Sequence, residues 1–117
     1  MKIVVGIDVS KDWFDIAWKE NDRIKNQRFD STVSGINQLM KATPAEAIYV
    51  MEATGVYHAR LSTMLFEAQR KVAVVNPLVI KRYGQMQLSR VKTDSADASL
   101  ILSYGENVEL RSWAPEP

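Results

Sequence analysis

Asp8, Glu52, Asp94 and Asp97 stand at the ends or starts of apolar segments, where an ionised carboxylate is costly unless a cation or a set of hydrogen bonds meets it. Asp8 lies in the run Ile3-Val4-Val5-Gly6-Ile7-Asp8-Val9, and Glu52 closes Ala47-Ile48-Tyr49-Val50-Met51. Asp94 and Asp97 are three apart in Thr93-Asp94-Ser95-Ala96-Asp97-Ala98. Side chains of this kind suit hard divalent cations, which take oxygen ligands. Two such ions about 4 Å apart can clamp an in-line displacement at phosphorus, one activating the attacking water or hydroxyl and the other stabilising the leaving oxygen. The chemistry expected of these residues is metal-dependent phosphoryl transfer.

Each acid also has a plainer explanation. Asp8 can be neutralised by Lys11 or another base, or reach solvent at a strand end. Glu52 just before a helix start is favoured by the helix dipole. Asp94 as an N-cap with Asp97 in the first turn is a capping arrangement. The combination is more specific than any of its parts: two strand-end acids plus a pair on one helix face. His58, the only histidine, reads as a surface or packing residue, and Trp13, Trp18 and Tyr57 read as core aromatics.

The elements that must position these acids follow from the hydrophobic pattern. Ile3 to Val9 is continuously apolar except for Asp8, the pattern of a strand buried on both faces. Trp13 to Trp18 continues as an antiparallel strand, and Arg23 to Phe29, polar at most positions, as an exposed edge strand. The spacing then predicts a short helix capped by Ser34 and ending before Pro44, a strand over 47–51 and a helix over 56–69 with Leu61, Met64, Leu65 and Ala68 inward. A strand over 72–75 closes at Asn76-Pro77. A helix over 78–92, broken around Gly84, and a last helix over 94–104 complete the order. Three antiparallel strands followed by helix–strand–helix–strand–helix predict an α/β fold: a mixed five-stranded sheet with helices on both faces, in the ribonuclease H-like arrangement. In such sheets ligands bind outside the carboxyl ends of parallel strands, where Asp8 and Glu52 would converge. The expected domain is 1–106, with 107–117 as a tail or the start of a linker.

Composition bounds the alternatives. A chain of 117 residues with 46% hydrophobic content supports one core. The absence of cysteine removes disulfides, thiolate zinc sites and a cysteine nucleophile. No apolar run approaches the roughly 18 residues of a membrane span, so a soluble, cytoplasmic protein is expected. The net charge of +1 conceals an uneven distribution: residues 60–93 carry 7 basic and 1 acidic side chains, whereas 94–117 carry 1 and 5. The basic segment is a candidate phosphate-backbone surface, with a solvated helical face as the plain alternative. Lys81, Arg82, Arg90 and Lys92 within it, and Lys11 beside Asp8, are the candidate nucleic-acid contacts.

Four segments resemble the DEDD-type insertion-sequence transposases of bacteria, the Piv invertase-like family: Gly6-Ile7-Asp8-Val9-Ser10-Lys11, Glu52-Ala53-Thr54-Gly55-Val56-Tyr57, Val75-Asn76-Pro77 and Lys92-Thr93-Asp94-Ser95-Ala96-Asp97-Ala98. Their order and spacing agree across about residues 3–105. The resemblance implies a RuvC-like nuclease domain in which Asp8, Glu52, Asp94 and Asp97 bind Mg2+, two ions with Mn2+ as a substitute. It implies cutting and joining of DNA strands during transposition or inversion, with a structured guide RNA in part of the family. Relatives carry a C-terminal domain that supplies a serine nucleophile, so this chain is expected to be the N-terminal catalytic domain of a longer protein that self-associates. Ser95 stands where the resemblance leads one to expect a basic residue in many relatives.

Two other readings stay open. An actin-like kinase fragment shares the opening meander and its strand-end acid, but requires a glycine-rich phosphate hairpin where this chain has Val9-Ser10-Lys11-Asp12. A nucleic-acid-binding or assembly module of the same fold would keep the architecture without catalysis.

Overall fold

The computed structural model describes residues 2–88 and 97–115. Strands β1 (Val4–Val9), β2 (Trp13–Glu20) and β3 (Arg23–Asp30) form the antiparallel meander. Asn21 and Asp22 both have positive φ (53° and 63°), the backbone of a two-residue hairpin whose twist matches the strands it joins. Helix α1 (Val33–Ala42), β4 (Ile48–Glu52), α2 (Tyr57–Glu67), β5 (Lys71–Val75), α3 (Pro77–Leu88) and α4 (Ala98–Asn107) follow. The sheet order is β3-β2-β1-β4-β5, with β1, β4 and β5 parallel. This is the expected ribonuclease H-like order.

The continuous apolar runs of β1 and β4 are explained by burial on both sides. Val5, Ile7, Phe14, Ile16, Tyr49 and Met51 face α1 and α2 in one core, with Ile36, Leu39, Leu61 and Leu65. Val4, Ala17, Val50 and Ala73 point the other way and pack with Ile80, Ile101 and Leu102 of α3 and α4. Residues alternate between these faces with the period of two that strands impose. The second face carries the site, because Asp8 and Glu52 share the parity of Val4 and Val50.

Several boundaries differ from expectation. Thr32, not Ser34, caps α1, its side chain accepting from the Gly35 amide. Helix α3 runs through Gly84 without a break, since Tyr83 is anchored to α4 by its hydroxyl on Ser103 and Asn107. Helix α4 begins at Ala98 rather than near Asp94. Ala68 lies just past the end of α2 and is exposed, whereas Ser62 within the helix is buried, its hydroxyl donating to the His58 carbonyl at 2.9 Å. After α4 the chain returns along the sheet, where the Trp113 amide donates to the Val72 carbonyl at 2.8 Å. Among the described residues no helix is long and apolar enough to cross a membrane.

Candidate active site at the carboxyl ends of the parallel strands

Strand pairing brings Asp8 and Glu52 to one place. Gly6 lies opposite Val50 and Ile7 opposite Met51 in the parallel β1–β4 register, so the next step along both strands sets Asp8 beside Glu52. Helix α4 delivers the third acid. A Cβ on Gly6 would fall 2.5 Å from the Ala98 carbonyl oxygen and 2.9 Å from Leu102 Cα; only glycine lets the helix lie this close. At the far end, a Cβ on Gly105 already lies 2.7 Å from a Val4 methyl, so α4 runs closely against β1 with its first turn beside Asp8.

Asp97 is the N-cap of α4: its Oδ1 accepts from the Leu100 amide at 2.8 Å. Asp97 therefore starts α4 instead of lying within its first turn, where the spacing put it. Asp94, Arg90 and Lys92 lie outside the described residues.

Asp8 and Glu52 feel the acids around them. The Asp8 pKa rises from 3.8 to about 6, first through burial, then through the negative charges of Asp15 and Asp97, with Arg28 opposing. Glu52 is raised by burial and then by Asp8. Asp8 is thus the centre of a chain of repulsion from Glu52 to Asp97. A cleft of about 360 Å³ opens over it, lined by Asp8, Asp15, Asn26, Gln27, Arg28, Asp97, Ala98 and Ser99. Among the described residues no three acidic or histidine side chains are grouped tightly enough to hold a metal ion on their own. In donor chemistry the carboxylates fit a hard divalent cation, which would relieve their repulsion.

Two site residues escaped the sequence reading. Asp15 lies directly opposite Asp8 in the β1–β2 register, and Arg28 opposite Asp15 in β2–β3. The Arg28 guanidinium, not Lys11, supplies the cation beside Asp8: its Nε donates to Asp15 Oδ1 at 2.8 Å and its Nη2 to Oδ2 at 3.2 Å. The hairpin could have revealed the pair, since folding the chain about residues 10–13 sets Asp8 against Asp15. Trp13, expected in the core, is instead 39% exposed, with Arg28 stacked on its ring at 4.6 Å. Tyr57 is exposed as well.

Of the candidate nucleic-acid contacts, Lys11, Lys81 and Arg82 are exposed, Lys81 and Arg82 side by side on α3. Arg70, in the same basic segment, is structural: it donates to the Tyr49 hydroxyl and, at 3.1 Å, to the Met40 carbonyl.

The model of the DEDD_Tnp_IS110 family, described as transposase, matches residues 5–116. This chain belongs to that transposase family. Its relatives include the pilin gene-inverting proteins of Moraxella bovis and Moraxella lacunata, each 31% identical over 98% of this chain. The chain spans 38% of their length. Among solved structures, YeaZ from Pseudomonas aeruginosa aligns with a TM-score of 0.46 at 14% identity, covering 71% of this chain and 47% of that one. In this transposase domain the segments that carry Asp8, Glu52 and Asp97 meet at one end of the sheet.

Proposed function

We propose that this domain is the carboxylate half of a DNA strand-cutting and strand-joining centre, in which Asp8, Glu52, Asp94 and Asp97 hold two Mg2+ ions or Mn2+ in their place. The observation that carries the reading is the juxtaposition of Asp8 with Glu52 across neighbouring parallel strands, with the Asp97 cap of α4 close enough to raise the Asp8 pKa. Membership of the transposase family supplies the class of substrate, DNA. Bound divalent ions would activate an attacking oxygen and stabilise the leaving one.

The chain's own residues prepare that site. Gly6 admits α4, so that Asp97 reaches the cleft. Asp97 Oδ1 is engaged by the Leu100 amide, which fixes the carboxylate; among the described residues Oδ2 has no donor, so it could take a ligand. The half-buried positions of Asp8 and Glu52 limit competition from water. Lys11, Lys81, Arg82, Arg90 and Lys92 would bind phosphates of the DNA or of a structured guide RNA. The rest of the longer protein would supply a serine-bearing domain and self-association. An inversion reaction of the kind named for the Moraxella proteins is one outcome of such a centre.

Calorimetric titration of Mn2+ into the domain and into Asp8→Asn tests the reading. Binding by the wild type that weakens in the variant supports it, and equal heats from both proteins overturn it.

A further inference from the structure

Three side chains beside the carboxylates have no part in the metal reading: Trp13, Asp15 and Arg28. They lie on one face of β2 and β3, Asp15 opposite Arg28, and they hold one another. The guanidinium makes two hydrogen bonds to the Asp15 carboxylate and lies over the Trp13 ring at 4.6 Å. It nevertheless stays open to solvent, the Arg28 side chain being 59% exposed. An exposed cross-strand ion pair contributes little to stability, so securing the hairpin is a weak reason for the cluster.

Its position offers a better reason. Arg28, with its neighbours Asn26 and Gln27, lines the same cleft as Asp8 and Asp97. A guanidinium has five N–H donors; Asp15 engages one on Nε and one on Nη2, and among the described residues the others meet no acceptor, so they can take a second one. A planar fork already fixed by a carboxylate and an aromatic ring loses little freedom on binding that acceptor, and its geometry matches a phosphate. Because Asp15 cancels much of its long-range charge, Arg28 is suited to directional hydrogen bonding more than to steering.

We propose that Arg28 is a phosphate-binding residue of this cleft, holding the DNA backbone beside the carboxylates, and that Trp13 and Asp15 are positioning residues that fix its guanidinium. The proposal rests on the reading that the cleft takes a DNA strand. It adds a cationic wall on the β3 side, remote in sequence from the basic segment 60–93.

The test is fluorescence anisotropy of labelled duplex DNA with this chain in Ca2+ over a series of KCl concentrations, alongside the Mn2+ titration and thermal melts. Arg28→Ala is expected to weaken DNA binding about tenfold, the value of one charge-assisted contact, and to make the salt slope shallower by about 0.9, the share of one phosphate. Arg28→Lys should restore the slope but not the affinity, because the charge returns without the fork. Trp13→Phe should keep a platform for the guanidinium and most of the affinity, and Trp13→Ala should lose affinity. Wild-type affinity and slope in both Arg28 variants would overturn the proposal, as would absence of DNA binding by the wild type. Should Arg28→Ala fail to melt cooperatively, Arg28→Lys decides alone: affinity equal to wild type overturns the proposal and reduced affinity with an unchanged slope supports it. Mn2+ should still bind both Arg28 variants, with an affinity near wild type in Arg28→Lys, which keeps the charge beside Asp8, and shifted in Arg28→Ala, which removes it. Absence of Mn2+ binding from the wild type would overturn the metal reading while leaving Arg28-dependent DNA binding to stand.

Discussion

Gly6 and Leu102 are in backbone contact: a Cβ built on Gly6 would lie 2.9 Å from Leu102 Cα and closer still to its amide nitrogen. The absence of a side chain in the middle of a buried strand therefore sets the height of α4 above the sheet and, through it, the position of Asp97. Gly6→Ala should push the helix outward. The expected cost is that of an overpacked core or more, ~1–3 kcal/mol, read as a lower melting temperature. Mn2+ affinity should fall with it, since Asp97 moves away from Asp8. A Gly6→Ala protein with unchanged melting and unchanged Mn2+ binding would show that α4 is not held by this contact.

Asp8 makes stability depend on pH in the direction opposite to a salt-bridged acid. Its folded pKa of about 6 stands above the ordinary 3.8, so the folded state binds the proton more tightly than the unfolded chain. Below about pH 4 both states are protonated and there is no penalty. As pH rises through 6 the folded chain must ionise an acid beside other acids, and stability is lost. Discounted for partial exposure, the loss is ~1–2 kcal/mol. Asp8→Asn should therefore melt higher than wild type at pH 7.5, by roughly 4 °C per kcal/mol, and the difference should close near pH 4. The same linkage makes Mn2+ affinity fall as pH drops through 6, because the ion must displace a proton. Equal melting temperatures at pH 7.5 would mean that Asp8 carries no such penalty.

The unbroken apolar run of β1 announced a central strand, and a mixed sheet with helices on both faces followed from the alternation of strands and helices, because burial on two faces leaves a direct compositional mark. The convergence of Asp8 and Glu52 was legible for the same reason, as both end strands of that kind. The role of Asp97 was not. Asp94 and Asp97 both suit an N-cap, and local sequence alone does not decide which one starts the helix; the close packing of α4 on Gly6 is a long-range contact. Trp13 reads as core because it is an aromatic residue in an alternating strand, whereas its alternation partner Asp15 belongs to the cleft face and carries Trp13 with it. Arg28 is inconspicuous in the sequence because β3 is polar at most positions, which hides a cation that, among the described residues, lines the cleft beside Asp8.

Lys81 and Arg82 are neighbours on an exposed face of α3, in the most basic part of the chain. As phosphate contacts they should act additively and without regard to base sequence. Replacing both by alanine should weaken binding to DNA and to structured RNA and make the salt slope shallower by roughly 1.8, two phosphates' worth. Melting should stay within about 0.5 kcal/mol of wild type, as for other exposed substitutions. An unchanged salt slope would return these residues to the status of a solvated surface.

Asp97 serves two ends, and two substitutions separate them. Asparagine caps a helix about as well as aspartate, so Asp97→Asn should keep the bond from the Leu100 amide and melt at or slightly above the wild-type temperature, since a repelling charge near Asp8 is removed. Asp97→Ala removes cap and charge together and should cost ~1 kcal/mol. If Asp97 were only a cap, Asp97→Asn would bind Mn2+ like wild type. If it is also a ligand, both variants lose Mn2+ affinity to a similar extent although only one is destabilised, because a neutral amide oxygen holds a divalent ion more weakly than a carboxylate. Melting and calorimetry on the two proteins therefore separate a helix start from a metal ligand at the same residue.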